Sequence, residues 1–272
     1  MRVSSESPTQ ELCHSVPRIL RYICISYCLN CATRNILVNY EHPTKLADSA
    51  DGTNGGMDYH VEIINKDDKL RVLKFLRRYF FRDEPLNQSI QLIPEGEDST
   101  CLELEDYCSH ASLENNLSLM AVSTSGAIIG VLLNGKMDPP SCEESEYIRS
   151  CKNAKFKKIL RLLHYIDKNV NADGQFRDSN VLEIRIISVD TNWRGKGVAK
   201  ILIEKTIEIA KEQGFHYVRA DCTSLFSGKL CARFGFDAIY KLSYTDYVDE
   251  NGKPIFSPAL PHTAAITYVK KL

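Results

Sequence analysis

The 272-residue chain carries almost no net charge: 34 basic and 35 acidic side chains leave −1 at neutral pH. Without an excess of either sign there is no long-range field to gather nucleic acid or an anionic membrane surface, so neither is an expected partner. A long apolar run is missing too. The most apolar stretch, "VPRILRYICISYCLNCATRNILV" at 16–38, is interrupted by Arg18, Arg21, Asn30, Arg34 and Asn35, well short of the ~20 apolar residues that a membrane span needs. Nor is there a paired metal motif. Cys24, Cys28 and Cys31 come closest, but no second CxxC or HxxxH completes a tetrahedral zinc site, and no metal is expected. The ten cysteines are scattered through a large chain that starts with no secretory leader, so they read as free thiols in a reducing, cytoplasmic compartment.

What is present is enough apolar material, 43% of residues, to fill one sizeable core. A polar stretch rich in Gly, Asp and Ser, "EHPTKLADSADGTNGGMDYH", reads as a linker. It divides a flexible amino-terminal tail, 1–57, from a folded domain, 58–272. Within the domain "DYHVEII" alternates as a strand, and Asn65 is placed to cap a helix whose Leu70, Leu73, Leu76 and Phe80 recur at helical spacing. That helix runs out at "RDEPLN", where Pro85 restricts Glu84 to extended backbone. A short helix is expected around "LELEDYCSHA", then a hairpin turning at Ser125-Gly126, then a polar loop with Pro139 and Pro140. "KFKKILRLLHYIDKNV" is an amphipathic helix with Phe156, Ile159, Leu160, Leu163 and Ile166 inward, and His164 among them reads as a partly buried structural histidine.

A βαβ unit follows. Strand 181–189, a helix stopped by Gly214 and strand 216–222 should run parallel through a right-handed crossover. Between the first strand and the helix lies "VDTNWRGKGVAK". Gly195 and Gly197 allow a tight turn with outward amides, the helix adds its positive end, and Arg194 and Lys196 add charge, which together make a pyrophosphate cradle. A P-loop is excluded because GxxxxGK(S/T) is absent. The dinucleotide fingerprint is imperfect, since Val198, Ala199 and Lys200 follow GxG, although Asp221 imitates its ribose-binding acid. "SGKLCARF" makes a short helix ended by Gly235, and "FDAIYKLSY" and "AAITYVKKL" are closing strands. These elements give one mixed α/β domain.

Arg194, Gly197 and Ala199 also satisfy Arg/Gln-x-x-Gly-x-Gly/Ala, the coenzyme A signature of the GNAT superfamily of N-acyltransferases. With "FFRDEPLN", "KFKKIL", "ISVDTNWRGKGVA", "FGF" and "PALPH", residues 58–272 resemble the insect arylalkylamine N-acetyltransferases of the dopamine type. The resemblance implies a GNAT fold: a central mixed, mostly antiparallel twisted sheet with a parallel splayed strand pair, flanked by helices. It implies acetyl-CoA as cosubstrate, bound by Ile187, Ser188, Val189, Arg194, Gly195, Lys196, Gly197, Val198 and Ala199. Small amines such as dopamine, tyramine, octopamine, serotonin and tryptamine are the implied acceptors, with a monomer acting by direct transfer. Glu84 falls on the family's base, and Thr223 and Ser227 on its assisting hydroxyls. Thr223 stands where the dopamine enzyme has serine, and helix capping is the alternative reading of both hydroxyls. Cys231 occupies the position at which many GNAT enzymes carry an acid tyrosine; Ser227 or water could supply that proton. A covalent route through Cys222 lacks an assignable His/Asp partner. His262 in "PALPH" is expected to border the pocket in a structural role. Agmatine or polyamine acetylation, or acyl-CoA binding without catalysis, are the alternatives.

Overall fold

The structure, a computed structural model, describes residues 59–272 apart from 97–98, 114–115, 139–140, 142 and 177–178. The expected tail, the Cys24, Cys28 and Cys31 trio, and the Pro139-Pro140 loop therefore lie outside the described residues. In chain order the elements are β1 (Tyr59–Ile63), a 3₁₀ turn (Lys66–Asp68), α1 (Lys69–Tyr79), α2 (Pro85–Ser89), α3 (Leu102–Ser112), β2 (Leu119–Ser123) and β3 (Ile128–Lys136). Then come α4 (Glu146–Ser150), α5 (Ala154–Val170), β4 (Val181–Val189), a second 3₁₀ turn (Thr191–Trp193), α6 (Val198–Glu212), β5 (Tyr217–Cys222), α7 (Leu225–Arg233), β6 (Asp237–Ser243) and β7 (Ala264–Lys271).

Asn65 caps as its position suggests, but it caps the 3₁₀ turn: its side chain accepts from the Asp67 amide at 2.9 Å while Asp68 returns to the Asn65 amide at 3.2 Å. Leu70 departs from its expected inward position and is 79% exposed. At about 100° per residue it falls away from the arc held by buried Val72, Leu73, Phe75 and Leu76. Two short helices escape the periodicity because five residues are too few to show one. These are α2 and α4, the latter capped by the Ser145 hydroxyl accepting from the Ile148 amide at 3.2 Å. Along α5 the expected apolar stripe is buried, and Leu162 and Asp167 are buried with it.

The seven strands form one sheet in the order β1-β2-β3-β4-β5-β7-β6, antiparallel except for β4 and β5. One core cluster fills the face covered by α1, α3 and α5, and a second fills the face covered by α6 and α7. Every residue of β4 is buried, as befits a central strand with helices on both sides. Gly130 of β3 lets α6 sit close, since a Cβ there would come within 2.7 Å of Val198 Cγ1.

The parallel ladder between β4 and β5 runs only from Val181↔Tyr217 to Ile184↔Ala220. It stops where β4 bulges. Leu133 of β3 faces Ile186 and Asn134 faces Ile184, so Arg185 is the extra residue that bends β4 away from β5. The bulge places the Arg185 guanidinium over Gly135, where a Cβ would fall 2.3 Å from Cζ, and its Nε donates to buried Glu183 at 3.2 Å. On β5, Arg219 is fully buried between Asp167 of α5 and Asp221, each at 2.9 Å, which ties that helix to the sheet. Beyond these pairs the two strands are no longer hydrogen-bonded to each other. The gap between them opens at their carboxyl edge.

Candidate active site

Phe80 and Phe81, both buried, close the end of α1 and meet edge to face at 6.1 Å. The chain then turns so that the Glu84 amide donates to the Phe80 carbonyl at 3.0 Å. Glu84 is extended (φ −70°, ψ 126°) ahead of Pro85, the first residue of α2, where a missing N–H costs nothing. Its side chain turns back as the N-cap: Oε2 accepts from the Asn87 amide at 2.6 Å. The other oxygen, Oε1, accepts from Thr223 Oγ1 at 2.9 Å. Glu84 is 2% exposed. The carboxylate is therefore an interior group aligned by one hydrogen bond from its own helix start and one from a distant part of the chain.

Thr223 lies one residue past β5, and Ser224 caps α7 by accepting from the Ser227 amide at 3.1 Å. Ser227 Oγ donates to the Ser224 carbonyl at 2.8 Å and stands 2.9 Å from Ser224 Oγ. Ser224 is a neighbour of these residues that the resemblance does not single out, although a serine just before a helical run is itself a capping signal. Tyr244 is another. Its hydroxyl donates to the Thr223 carbonyl at 2.7 Å, and nothing local in the sequence marks it.

The turn after β4 has the form expected of an anion cradle. Gly195 (φ +76°) and Gly197 (φ +84°) are left-handed, and an added Cβ at Gly195 would meet nothing within 4 Å. The first bond within α6 runs from the Ile201 amide to the Gly197 carbonyl at 3.1 Å. The Val198, Ala199 and Lys200 amides thus lie ahead of the helix's own acceptors. Lys196 is exposed and lies over the Trp193 ring at 5.1 Å. Arg194 turns inward instead: Nε donates to the Val189 carbonyl at 3.1 Å and Nη2 reaches Asp83 at 3.3 Å. The turn is thereby fastened to the loop carrying Glu84.

Along β4, the Asp190 amide donates to Ile129 of the β3 side at 2.9 Å, so the alternating backbone turns Val189 and Ile187 away from β3 and into the gap. Ser188 Oγ donates to the Tyr79 carbonyl at 3.0 Å. The Tyr79 phenol is raised in pKa by burial and then by its hydrogen bond to Asp190.

Other candidates fall outside this arrangement. Cys222 Sγ stands 3.6 Å from Cys231 Sγ, and burial, followed by the neighbouring thiol, pushes the Cys222 pKa well up, which disfavours the thiolate that a covalent route requires. Asp221 is committed to Arg219 and to Thr267, whose hydroxyl donates at 2.6 Å. His164 is half-buried on α5. His262 accepts the Leu225 amide on Nδ1 at 3.2 Å and packs against Phe226 at the start of α7. Among the described residues no group of three or more His, Cys, Asp or Glu is gathered as for a metal, and no helix is long and apolar enough to cross a membrane.

A gap between diverging parallel strands, with backbone donors along one wall and outward amides at its mouth, fits a coenzyme A thioester: an extended amide-bearing arm ending in a pyrophosphate. That is the construction of an acyl-CoA-dependent transferase. The chain belongs to the Acetyltransferase (GNAT) family, whose sequence model matches residues 84–236, more than half its length. GNAT acetyltransferases use acetyl-CoA.

Solved structures similar to this chain include arylalkylamine N-acetyltransferase 2 of Aedes aegypti, at 37% identity over 79% of this chain and 99% of that one, with a TM-score of 0.71. Mosquito arylalkylamine N-acetyltransferase like 5b is 26% identical over 79% and 100%, with a TM-score of 0.70. The Drosophila melanogaster polyamine N-acetyltransferase, an enzyme that forms N-acetylagmatine, shares the fold at 23% identity over 79% and 100%, with a TM-score of 0.69.

Proposed function

We propose that this chain acetylates the amine of small arylalkylamines, the dopamine, tyramine, octopamine, serotonin and tryptamine class, from acetyl-CoA by direct transfer. The observation that carries the proposal is the Glu84 carboxylate, buried and hydrogen-bonded to Thr223 at the end of the strand bordering the gap. Such an amine, with a lysine-like pKa of ~10.4, costs about 4 to 5 kcal/mol to deprotonate at pH 7, and a fixed interior carboxylate offsets that cost.

When bound, acetyl-CoA supplies an acetyl group on a thioester. The cradle residues Gly195, Lys196, Gly197, Val198 and Ala199 hold the pyrophosphate end. Ile187 and Val189 present their backbone along the gap, with Ser188 between them turned to β3 and its hydroxyl on the Tyr79 carbonyl, and the Val189 amide is turned to donate to an oxygen gaining negative charge. Arg194 acts through Asp83, joining cradle and base loop so that the two substrates meet. Glu84 removes the ammonium proton, Thr223 holds Glu84, and Ser227, paired with the Ser224 hydroxyl, or water supplies the proton to the departing sulfur. Asp221, two residues before Thr223, is already paired with Arg219, which favours an uncharged aryl group over a second ammonium.

Initial rates of thiol release from acetyl-CoA test the reading, measured with dopamine, tyramine, serotonin, tryptamine, agmatine and spermidine on the whole chain and on residues 58–272. Preference for the aryl amines by both proteins is the expected result. Turnover confined to agmatine or spermidine would move the specificity to aliphatic cations. Silence alongside tight acetyl-CoA binding would make the chain a binding protein, and loss of folding in the fragment would place the first 57 residues within the domain.

A further inference from the structure

We infer that Tyr244 is a positioning residue for acetyl transfer, which holds the Thr223 hydroxyl on Glu84 by fixing the Thr223 backbone. The inference rests on the reading that Glu84 is the base. Tyr244 follows β6, is 3% exposed, and packs in the core cluster that includes Leu242 and Phe256. Its amide donates to the Thr263 carbonyl at 3.0 Å, so the residue is anchored through its own backbone, and its hydroxyl reaches the Thr223 carbonyl at 2.7 Å.

Thr223 needs such an anchor. The β5–β7 ladder ends with the pair Cys222↔Ile266, and the ladder to β4 has stopped earlier, at Ala220. Thr223 therefore stands beyond both neighbouring strands, at the turn into α7. A carbonyl held at 2.7 Å fixes the peptide plane there. Threonine then carries that orientation to its side chain, because a β-branched residue has few χ1 choices once its backbone is set. Oγ1 accordingly points at Glu84 Oε1, at 2.9 Å. A serine would lose this rigidity, so the threonine and the tyrosine work as a pair, linking the end of β6 to the base through the β5–α7 turn.

A double-mutant cycle tests the inference, with tryptamine as acceptor and Tyr244→Phe, Thr223→Val and the double variant compared with the parent. Removing one hydrogen bond of ordinary strength should lower kcat about two- to tenfold in Tyr244→Phe, with the KM for acetyl-CoA unchanged. In the Thr223→Val background the same change should have little further effect, because the group it positions is gone. Thr223→Ala serves the same cycle if the valine variant does not fold. An equal loss in both backgrounds, a loss confined to the acetyl-CoA KM, or parental kinetics in Tyr244→Phe would overturn the inference while leaving the base assignment standing. Turnover of no amine by the parent protein would overturn the functional reading and this inference together.

Discussion

Thr223 Oγ1 donates to Glu84 Oε1 at 2.9 Å although 139 residues separate the two in the chain. The bond joins the loop after α1 to the turn after β5, and Arg194, reaching Asp83 at 3.3 Å, joins that same loop to the glycine turn ahead of α6. The proposed base and the glycine turn proposed to hold pyrophosphate are therefore parts of one connected arrangement. Substitutions within it should have separable effects on the two substrates.

Glu84→Gln keeps the size of the side chain and removes its capacity to take a proton. At pH 7 kcat/KM should fall by about 10²- to 10⁴-fold, with the deficit narrowing as rising pH supplies free amine. Acetyl-CoA affinity, read by calorimetry, should stay at the parental value. A ratio of variant to parent that does not change with pH would remove Glu84 from the base role.

Gly197 and Gly195 should respond differently to a side chain. Gly197→Val forces a β-branched residue to φ +84° at the N-cap of α6 and should weaken acetyl-CoA binding by about tenfold or more. Gly195→Ala meets open space and carries only the cost of its positive φ, so binding should weaken by no more than about tenfold. Equal affinity in both variants and the parent would put the pyrophosphate elsewhere.

Gly135→Ala probes the bulge. The new Cβ would occupy the place of the Arg185 guanidinium, whose displacement separates it from buried Glu183, at a cost of about 3 to 5 kcal/mol by urea denaturation. A loss below about 1 kcal/mol, the range of an ordinary surface change, would mean that Arg185 has a second berth.

His262 contributes a pH-dependent part of the stability. Burial lowers its pKa in the folded chain, and Nδ1 must be unprotonated to accept the Leu225 amide. Its contribution is thus complete above the unfolded value of about 6.5 and is lost as pH falls through the lower folded value. Thermal melts from pH 7.5 downward should show a smaller loss in His262→Gln than in the parent. Identical slopes would show that the protonated ring is tolerated there.

Most of what was legible beforehand concerned residues acting through near neighbours. Gly195 and Gly197 mark a tight turn wherever they occur, and the stripe of Phe156, Ile159, Leu160, Leu163 and Ile166 records its own burial. Glu84, Thr223 and Ser227 were reached through resemblance, since a carboxylate in a polar loop and two hydroxyls at a helix start look ordinary by composition. Leu70 misled because helical spacing to Leu73 and Leu76 does not establish where the buried arc is centred. Tyr244 was invisible, as its partner lies in another element and a tyrosine after a strand carries no signal of its own.

The sequence by itself determined the order of the strands and the longer helices, the glycine turn at the start of α6 and the extended backbone before Pro85, because backbone preference and periodicity act over a few residues. Only the tertiary structure decided that β4 bulges at Arg185 and parts from β5, that Arg194 faces Asp83, and that Thr223 meets both Glu84 and Tyr244. Those outcomes depend on which distant groups share one interior, where a polar atom must find a partner among whatever the packed chain brings to it.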